Sequence, residues 1–247
     1  MFVWFVVKKF SMNNNLPIIK ICGLTSTTDI QMCLRNGVRH LGFVVEYPER
    51  VPWNLSRDKA KALLATVPKD MATYVVCGGC AEKILDMARY LKPTAIQIHH
   101  RESIEDVTRI AEALAQEGIA TFRAVSPETP EDALAALCAM PDLAGLVADS
   151  RTPDTASHHG KRLDAAFYLH LRSRFPRTIF LGGGITPDNL HDIVAETSAT
   201  ALDILTGIET SPGHKDEAKL KRIMNQTHLA KAQKRKGNEG ELKNETF

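Results

Sequence analysis

The chain has 247 residues, 44% hydrophobic and 24% charged, with 15 Gly and 12 Pro, a composition that fits a soluble globular protein and excludes global disorder or a collagen-like repeat. Thirty-one Lys and Arg against 29 Asp and Glu leave a net charge of +2, far below the basic excess that displaces counterions from nucleic-acid phosphates, so no nucleic-acid partner is expected. Five cysteines, an odd number, argue against a disulfide framework and for a reducing, cytoplasmic setting.

The run from Met1 to Val7 is apolar but too short to cross a membrane, and Lys8 and Lys9 follow it where a secretion signal would have them precede. No membrane partner is expected. The polar stretch behind it makes residues 1–16 an expected N-terminal extension, disordered, with Met12 as an alternative start. From residue 18 onward short apolar runs alternate with amphipathic segments. IIKICGL (Ile18 to Leu24) precedes a helix from Thr27 to Asn36 that Gly37 stops, and HLGFVVEY (His40 to Tyr47) precedes one starting after Ser56. ATYVVCGG (Ala72 to Gly79) leads to a helix carrying Ile84, Leu85, Met87 and Ala88. AIQIHH (Ala95 to His100) leads to SIEDVTRIAEALAQEG, where Ser103 and Asp106 resemble a capping box and Gly118 closes the helix.

The second half repeats the pattern. ATFRAVS from Ala120 pairs with a helix from Pro130 to Met140, and GLVADS (Gly145 to Ser150) with one from Leu163 to Arg174 after a longer loop. TIFLGGG (Thr178 to Gly184) leads to a helix capped near Thr186 and Pro187, and ALDILTG (Ala201 to Gly207) to a last helix from Asp216. The end of the chain, 227–247, mixes both charge signs without apolar periodicity and is expected to be a solvated tail.

Strands this apolar are buried on both faces, and each is returned by a helix, so the sheet should be parallel. Eight such units predict an α/β protein with a single-domain TIM (β/α)8 barrel over 17–226, in preference to an open doubly wound sheet of five or six strands. The active site of such a barrel lies at the C-terminal strand ends. The residues there are Cys22 with Gly23, Glu46 and Tyr47, Cys77 and Gly78, Gln97 and His99, Arg123, Asp149, Gly182 to Gly184, and Asp203 to Gly207. Two successive glycine-bearing loops after the seventh and eighth strands stand where barrels hold phosphate on backbone amides.

KICGLT (Lys20 to Thr25), LGF (Leu41 to Phe43), IQIH (Ile96 to His99), ADS (Ala148 to Ser150), LGGGITPDN (Leu181 to Asn189) and GIETSPGHKD (Gly207 to Asp216) resemble the phosphoribosylanthranilate isomerase family of tryptophan biosynthesis. The match spans Ile18 to Met224 in order. It implies an intramolecular oxidoreductase that carries out an Amadori rearrangement on a small phosphorylated sugar-amine, without metal or organic cofactor. Carried over motif by motif, the resemblance makes Cys22 the general base and Asp149 the general acid. Gly183, Gly184, Thr206 and Gly207 would bind the phosphate, and Lys20, Arg50, Gln97, His99 and Asp203 the rest of the substrate. The chemistry suits such a pair: an acid protonates the furanose oxygen to open the ring, and a base removes the C2 proton of the resulting iminium. A thiol in that role needs its pKa lowered by a neighbour such as Lys20.

The chain departs from the family pattern at several positions. RVPWNLS places Trp53 where the family has an arginine for the anthranilate carboxylate, leaving Arg50 as the candidate substitute. His100 stands at a usual glycine, LTG at a usual serine pair, and TASHHGK at a usual Gly/Thr-rich loop. These differences leave two alternatives open: the same rearrangement on another phosphoribosylamine, or a phosphosugar-binding barrel without turnover. Cys77 and Cys80 form a CGGC that lacks a thioredoxin context, and His158 and His159 have no further ligands at metal spacing, so neither redox nor zinc chemistry is expected. Oligomeric state is not legible in the sequence.

Overall fold

The computed structural model describes residues 17–152, 155 and 160–227. The expected extension over 1–16, most of the tail over 227–247, and the His158 and His159 pair lie outside the described residues.

Eight parallel strands alternate with eight helices. They are β1 (Ile18–Ile21), α1 (Thr27–Arg35), β2 (His40–Val45), α2 (Arg57–Leu64), β3 (Ala72–Cys77), α3 (Ala81–Leu91), β4 (Ala95–Ile98) and α4 (Ile104–Gln116). Then come β5 (Ala120–Val125), α5 (Glu131–Ala139), β6 (Leu143–Ala148), α6 (Ala165–Arg174), β7 (Thr178–Leu181), α7 (Leu190–Thr197), β8 (Ala201–Ile204) and α8 over 217–227. Lys20 of β1 pairs with His40 of β2 on one side and with Asp203 of β8 on the other, so the sheet closes into the expected (β/α)8 barrel. A two-residue strand, Asn54–Leu55, extends the sheet beside β2.

The helices start where the sequence supplies a cap. Ser26, Ser56 and Ser103 accept the amides of Asp29, Lys59 and Asp106, satisfying donors that a helix N-terminus leaves open. At Ser103 the reciprocal bond runs from the serine hydroxyl to Asp106 Oδ2, 3.1 Å, because Asp is too short to reach back to the cap's own amide. Gly37 and Gly118 follow α1 and α4 with φ of 80° and 74°, a region open to glycine without steric penalty.

Among the boundaries that differ from the sequence expectation, two have a local cause. β6 begins at Leu143, two residues before Gly145, because Leu143 already pairs with Thr121; Gly145 lies inside the strand, where a Cβ would stand 2.2 Å from Phe122 Cε1. α7 begins at Leu190 behind Asn189, not at Thr186 and Pro187. Asn189 Oδ1 accepts the Thr186 amide and its Nδ2 donates to the Gly184 carbonyl, so Thr186 to Asn189 form a side-chain-braced turn ahead of the helix.

Alternation along the strands sorts the core into two zones. One set, including Ile19, Ile21, Leu41, Phe43, Val75 and Ile96, packs with helix residues such as Ile30, Ile84 and Ile110. The other set fills the barrel: Ala72, Ala95, Ala120 and Ala201 with Tyr74, Phe122, Val147 and Phe180. Tyr74, Phe122 and Phe180 meet pairwise with ring centroids 5.6 to 5.7 Å apart, and His40 Nδ1 lies 2.9 Å from the Tyr74 hydroxyl. This aromatic floor carries the site above it. Replacing Phe180 by Ala would leave a cavity in a closed interior, and a loss of about 3–5 kcal/mol in unfolding free energy is expected from denaturant titration of the variant.

Candidate active site

Lys20 is the third residue of β1 and its side chain has no exposed surface. Its Nζ donates to Asp203 Oδ2 on β8 at 2.7 Å and to Gln97 Oε1 on β4 at 2.9 Å, and sits 5.4 Å from the centroid of the Tyr74 ring. Burial works to discharge this ammonium, but the Asp203 carboxylate and the Cys22 sulfur outweigh it and hold the pKa above the ordinary lysine value. Asp203 Oδ1 is buried with no partner. Three of the expected substrate-binding residues, from three strands, thus meet at one point.

Cys22 follows the last paired residue of β1, and its amide donates to the Ile204 carbonyl at 2.9 Å. It packs with Val44, Tyr47, Trp53, Val76 and Leu205 around the barrel mouth. Gly42 opposite leaves room for the sulfur: a Cβ there would stand 2.9 Å from Sγ. The expectation of a lowered thiol pKa is not met in this structure. Burial raises it, Lys20 pulls against that rise, Asp203 adds to it, and the net displacement is upward. At neutral pH the group is a thiol.

Asp149 follows β6 and is 2% exposed. Its carboxylate is held by Arg151, two residues on: Nη2 reaches Oδ2 at 2.8 Å, Nε reaches both oxygens at 3.3 Å, and the Arg151 amide donates to Oδ1 at 3.0 Å. Burial would raise this pKa, but the guanidinium and the half-buried His99 ring draw it down to about 2. Arg151 also feels Cys22 and Asp203 across the mouth, so the four groups share one field. The His99 ring is drawn down to about 4, first by removal from water, with Arg151, Arg123 and Lys20 adding to the effect of burial against the pull of Asp149. It is neutral at pH 7.

Three loops meet beside Asp149. Gly183 and Gly184 have φ of 87° and 63°, and a Cβ at Gly184 would stand 2.6 Å from the Arg162 amide nitrogen. A Cβ at Gly207 would stand 1.6 Å from the Ile185 carbonyl oxygen, so only glycine lets the 3-10 turn Thr206–Ile208 lie against the β7 loop. No hydrogen bond among the described residues uses the amides of Gly183 or Gly184. Those donors remain available to an anion.

Around this centre the structure distributes roles that the sequence left open. Trp53 is turned inward: its ring lies over Gly23, and its Nε1 donates to Glu209 at 2.7 Å. Lys215 pairs with the same oxygen at 2.8 Å and has no exposed surface. Trp53 is therefore a wall of the mouth. Arg50 is exposed on the loop after β2, and no hydrogen bond or ion pair among the described residues links it to Cys22 or Asp149. Arg123 is committed to Glu102 at 2.8 Å and to the His100 carbonyl at 2.9 Å, which braces the loop after β4. Tyr47 donates to the His99 carbonyl at 2.6 Å. All five cysteines are free, with Cys77 buried and Cys80 exposed, and no described group of three His, Cys, Asp or Glu could hold a metal ion. No helix among the described residues is long and apolar enough to cross a membrane.

Arg151 escaped the sequence reading. The only signal for it was its position directly after the ADS motif, two residues beyond the aspartate and outside the motif itself.

A family model described as N-(5'-phosphoribosyl)anthranilate (PRA) isomerase matches residues 19–226. The chain is 31% identical over 205 residues to the N-(5'-phosphoribosyl)anthranilate isomerase of Thermotoga maritima, covering 82% of this chain and 94% of that one. It is 29% identical over 209 residues to the enzyme of the same name from Thiobacillus denitrificans, covering 84% and 96%. Among solved structures it is similar to a phosphoribosyl anthranilate isomerase in complex with reduced 1-(o-carboxyphenylamino)-1-deoxyribulose 5-phosphate. That likeness has a TM-score of 0.70 and 27% identity, over 86% of this chain and 99% of the other. The chain belongs to the N-(5'-phosphoribosyl)anthranilate isomerase family.

Proposed function

We propose that the chain converts N-(5-phosphoribosyl)anthranilate to 1-(o-carboxyphenylamino)-1-deoxyribulose 5-phosphate, with Cys22 as general base and Asp149 as general acid. The single observation that carries this reading is that one guanidinium, Arg151, bonds the carboxylate after β6 and lies within the field of the thiol after β1, while Lys20 beside that thiol is held by Asp203. Family membership supplies the reaction; that arrangement supports the choice of residues.

The steps follow from the chemistry. Asp149 gives its proton to the furanose oxygen, the ring C–O bond breaks, and the nitrogen lone pair forms the C1 iminium. Cys22, as thiolate, removes the C2 hydrogen, and that C–H electron pair becomes the C1–C2 double bond of an enolamine. The enolamine gains a proton at C1 and loses its hydroxyl proton, leaving a ketone at C2. Carbon 2 is oxidised and carbon 1 reduced, so no external oxidant or cofactor enters. In this reading Gly183, Gly184, Thr206 and Gly207 hold the phosphate, and Lys20, Gln97 and the unpartnered Asp203 Oδ1 meet the sugar hydroxyls. His99, neutral, lies beside Asp149.

The resting proton inventory is the inverse of the reactive one. The ligand-free pair is Asp149 carboxylate and Cys22 thiol, whereas ring opening needs carboxylic acid and thiolate. The two forms carry the same net charge and differ by one proton moved from sulfur to carboxyl. The field around the site must therefore change when substrate binds.

Complementation of a tryptophan auxotroph that lacks the isomerase is expected from this chain and not from Cys22→Ala or Asp149→Asn. In purified enzyme each substitution should lower kcat by about 10² to 10⁴, the range for a general acid or base. Retained kcat in either variant contradicts the assignment. Asp149 should titrate at about 2 by carboxyl carbon NMR in the free protein, and above the ordinary aspartate value once Arg151 is replaced by Met. Because the folded-state pKa is depressed, this carboxylate stabilises the fold above about pH 4, and the contribution is lost as pH falls through about 2.

A further inference from the structure

The substrate of the proposed reaction carries a second anion besides its phosphate, the carboxylate on its aryl ring, and an inward-facing cation must receive it. The cations around the mouth differ in what they can offer. Lys20 and Lys215 have no exposed surface and are spent on Asp203 and Glu209. Arg123 is spent on Glu102 and on main-chain carbonyls. Trp53 occupies the β2-loop position with an indole bonded to Glu209, and Arg50 is turned out to solvent. Arg151 remains. Its side chain is 13% exposed, it stands within the field of both Cys22 and Asp203, and its Nη1 makes none of the hydrogen bonds found among the described residues.

Resting on the isomerase reading, we propose that Arg151 is the residue that recognises the aryl carboxylate, and that in doing so it lets go of Asp149 and arms it as the acid. One guanidinium then serves two carboxylates in turn. In the free enzyme it grips Asp149 through Nε and Nη2, and the acid is ionised. A substrate carboxylate arriving at the Nη1 and Nη2 edge competes for the same charge. As the grip on Asp149 weakens, the proton on Cys22 sulfur passes to an Asp149 oxygen, directly or through solvent, and leaves the thiolate. Charge balances throughout: one S–H bond breaks, one O–H bond forms, and the incoming anion takes over the cation that Asp149 gives up.

The groups that face this exchange are Arg151 and His99 around Asp149, and Lys20, Asp203, Lys215 and Arg151 around Cys22. Tyr47 faces Arg151 from the β2 loop. Lys20 is held by Asp203 and Lys215 by Glu209, both lysines without exposed surface, and the His99 ring is neutral. Arg151, though bonded to Asp149, keeps an Nη1 without a bond among the described residues and a side chain 13% exposed. The arrangement makes the substrate's own carboxylate a condition for catalysis as well as a handle for binding.

The test compares kcat and KM for the full chain on N-(5-phosphoribosyl)anthranilate and on N-(5-phosphoribosyl)aniline, which lacks only the carboxylate, across about pH 5 to 9. The wild-type chain should prefer the first substrate by on the order of 10- to 100-fold, the worth of a charge-assisted pair. The aniline substrate should lose kcat and not merely raise KM, because Asp149 stays gripped. In Arg151→Met the preference should shrink to within about threefold, and the alkaline limb of the kcat/KM profile should move to higher pH, with Arg151→Lys restoring part of the preference. A merely structural role for Arg151 would depress both substrates together and leave their ratio alone. Wild-type preference persisting in Arg151→Met, or abolished by Arg50→Met instead, overturns the inference and leaves the isomerase reading standing. Wild-type turnover of neither substrate overturns both.

Discussion

A lysine ammonium with no exposed surface organises this molecule. Lys20 cannot exist as a charged group inside a closed barrel without a carboxylate in contact, and Asp203 supplies it from the neighbouring strand. The strand register is what makes the pairing possible, since Lys20 and Asp203 stand opposite each other where β8 closes on β1. Below the charge lies a closely packed aromatic floor, and above it lies Cys22. Directly above the aromatic layer the interior is polar where three strands bring Lys20, Gln97 and Asp203 together. A barrel whose interior had continued in alanine and phenylalanine to its mouth would hold no such centre.

The second ion pair does the opposite work. Lys20 has no exposed surface and Asp203 almost none, whereas the Arg151 side chain is 13% exposed over an Asp149 that is itself buried. Breaking a buried pair leaves an uncompensated charge and is strongly unfavourable; in the proposed exchange the incoming carboxylate takes Asp149's place on the guanidinium while Asp149 takes up a proton, so neither is left charged and unpaired. On the proposed exchange, one pair is scaffold and the other a switch: the resting pair stands one proton transfer from the reactive form, and the bias against that transfer comes from a side chain the substrate draws off.

The fold was legible because eight apolar strands with capped helices leave few topologies, and the KICG, ADS and LGGG segments fell at strand ends where a barrel builds its site. Serine caps mark the starts of α1, α2 and α4, and glycines follow the ends of α1 and α4. Two departures from expectation had local causes. Thr186 to Asn189 satisfy one another as a turn, which no propensity of Thr or Pro reveals, and Gly145 marks the close approach of Phe122 instead of a strand start. Lys20, Gln97 and Asp203 were named from the sequence, yet their mutual contact depends on barrel closure. The thiol's raised pKa could not be read either, because burial competes with Lys20 and only packing decides which prevails. Arg151 was invisible for a further reason: its meaning lies in bond geometry to Asp149, and an arginine just past a motif reads as a solvated loop charge. The indole of Trp53 was seen as a missing arginine; its bond to Glu209 shows it as a wall that narrows the mouth.

The central claim is that one thiol and one carboxyl act on opposite sides of a sugar anchored by its phosphate. A crystal structure of this chain with reduced 1-(o-carboxyphenylamino)-1-deoxyribulose 5-phosphate tests it most directly. The account requires the phosphate on the amides of Gly183, Gly184 and Gly207, with Cys22 Sγ toward C2 and the Asp149 carboxyl toward the former ring oxygen, each within about 3–4 Å. A ligand seated elsewhere, or one whose C2 and ring oxygen face other side chains, would contradict it.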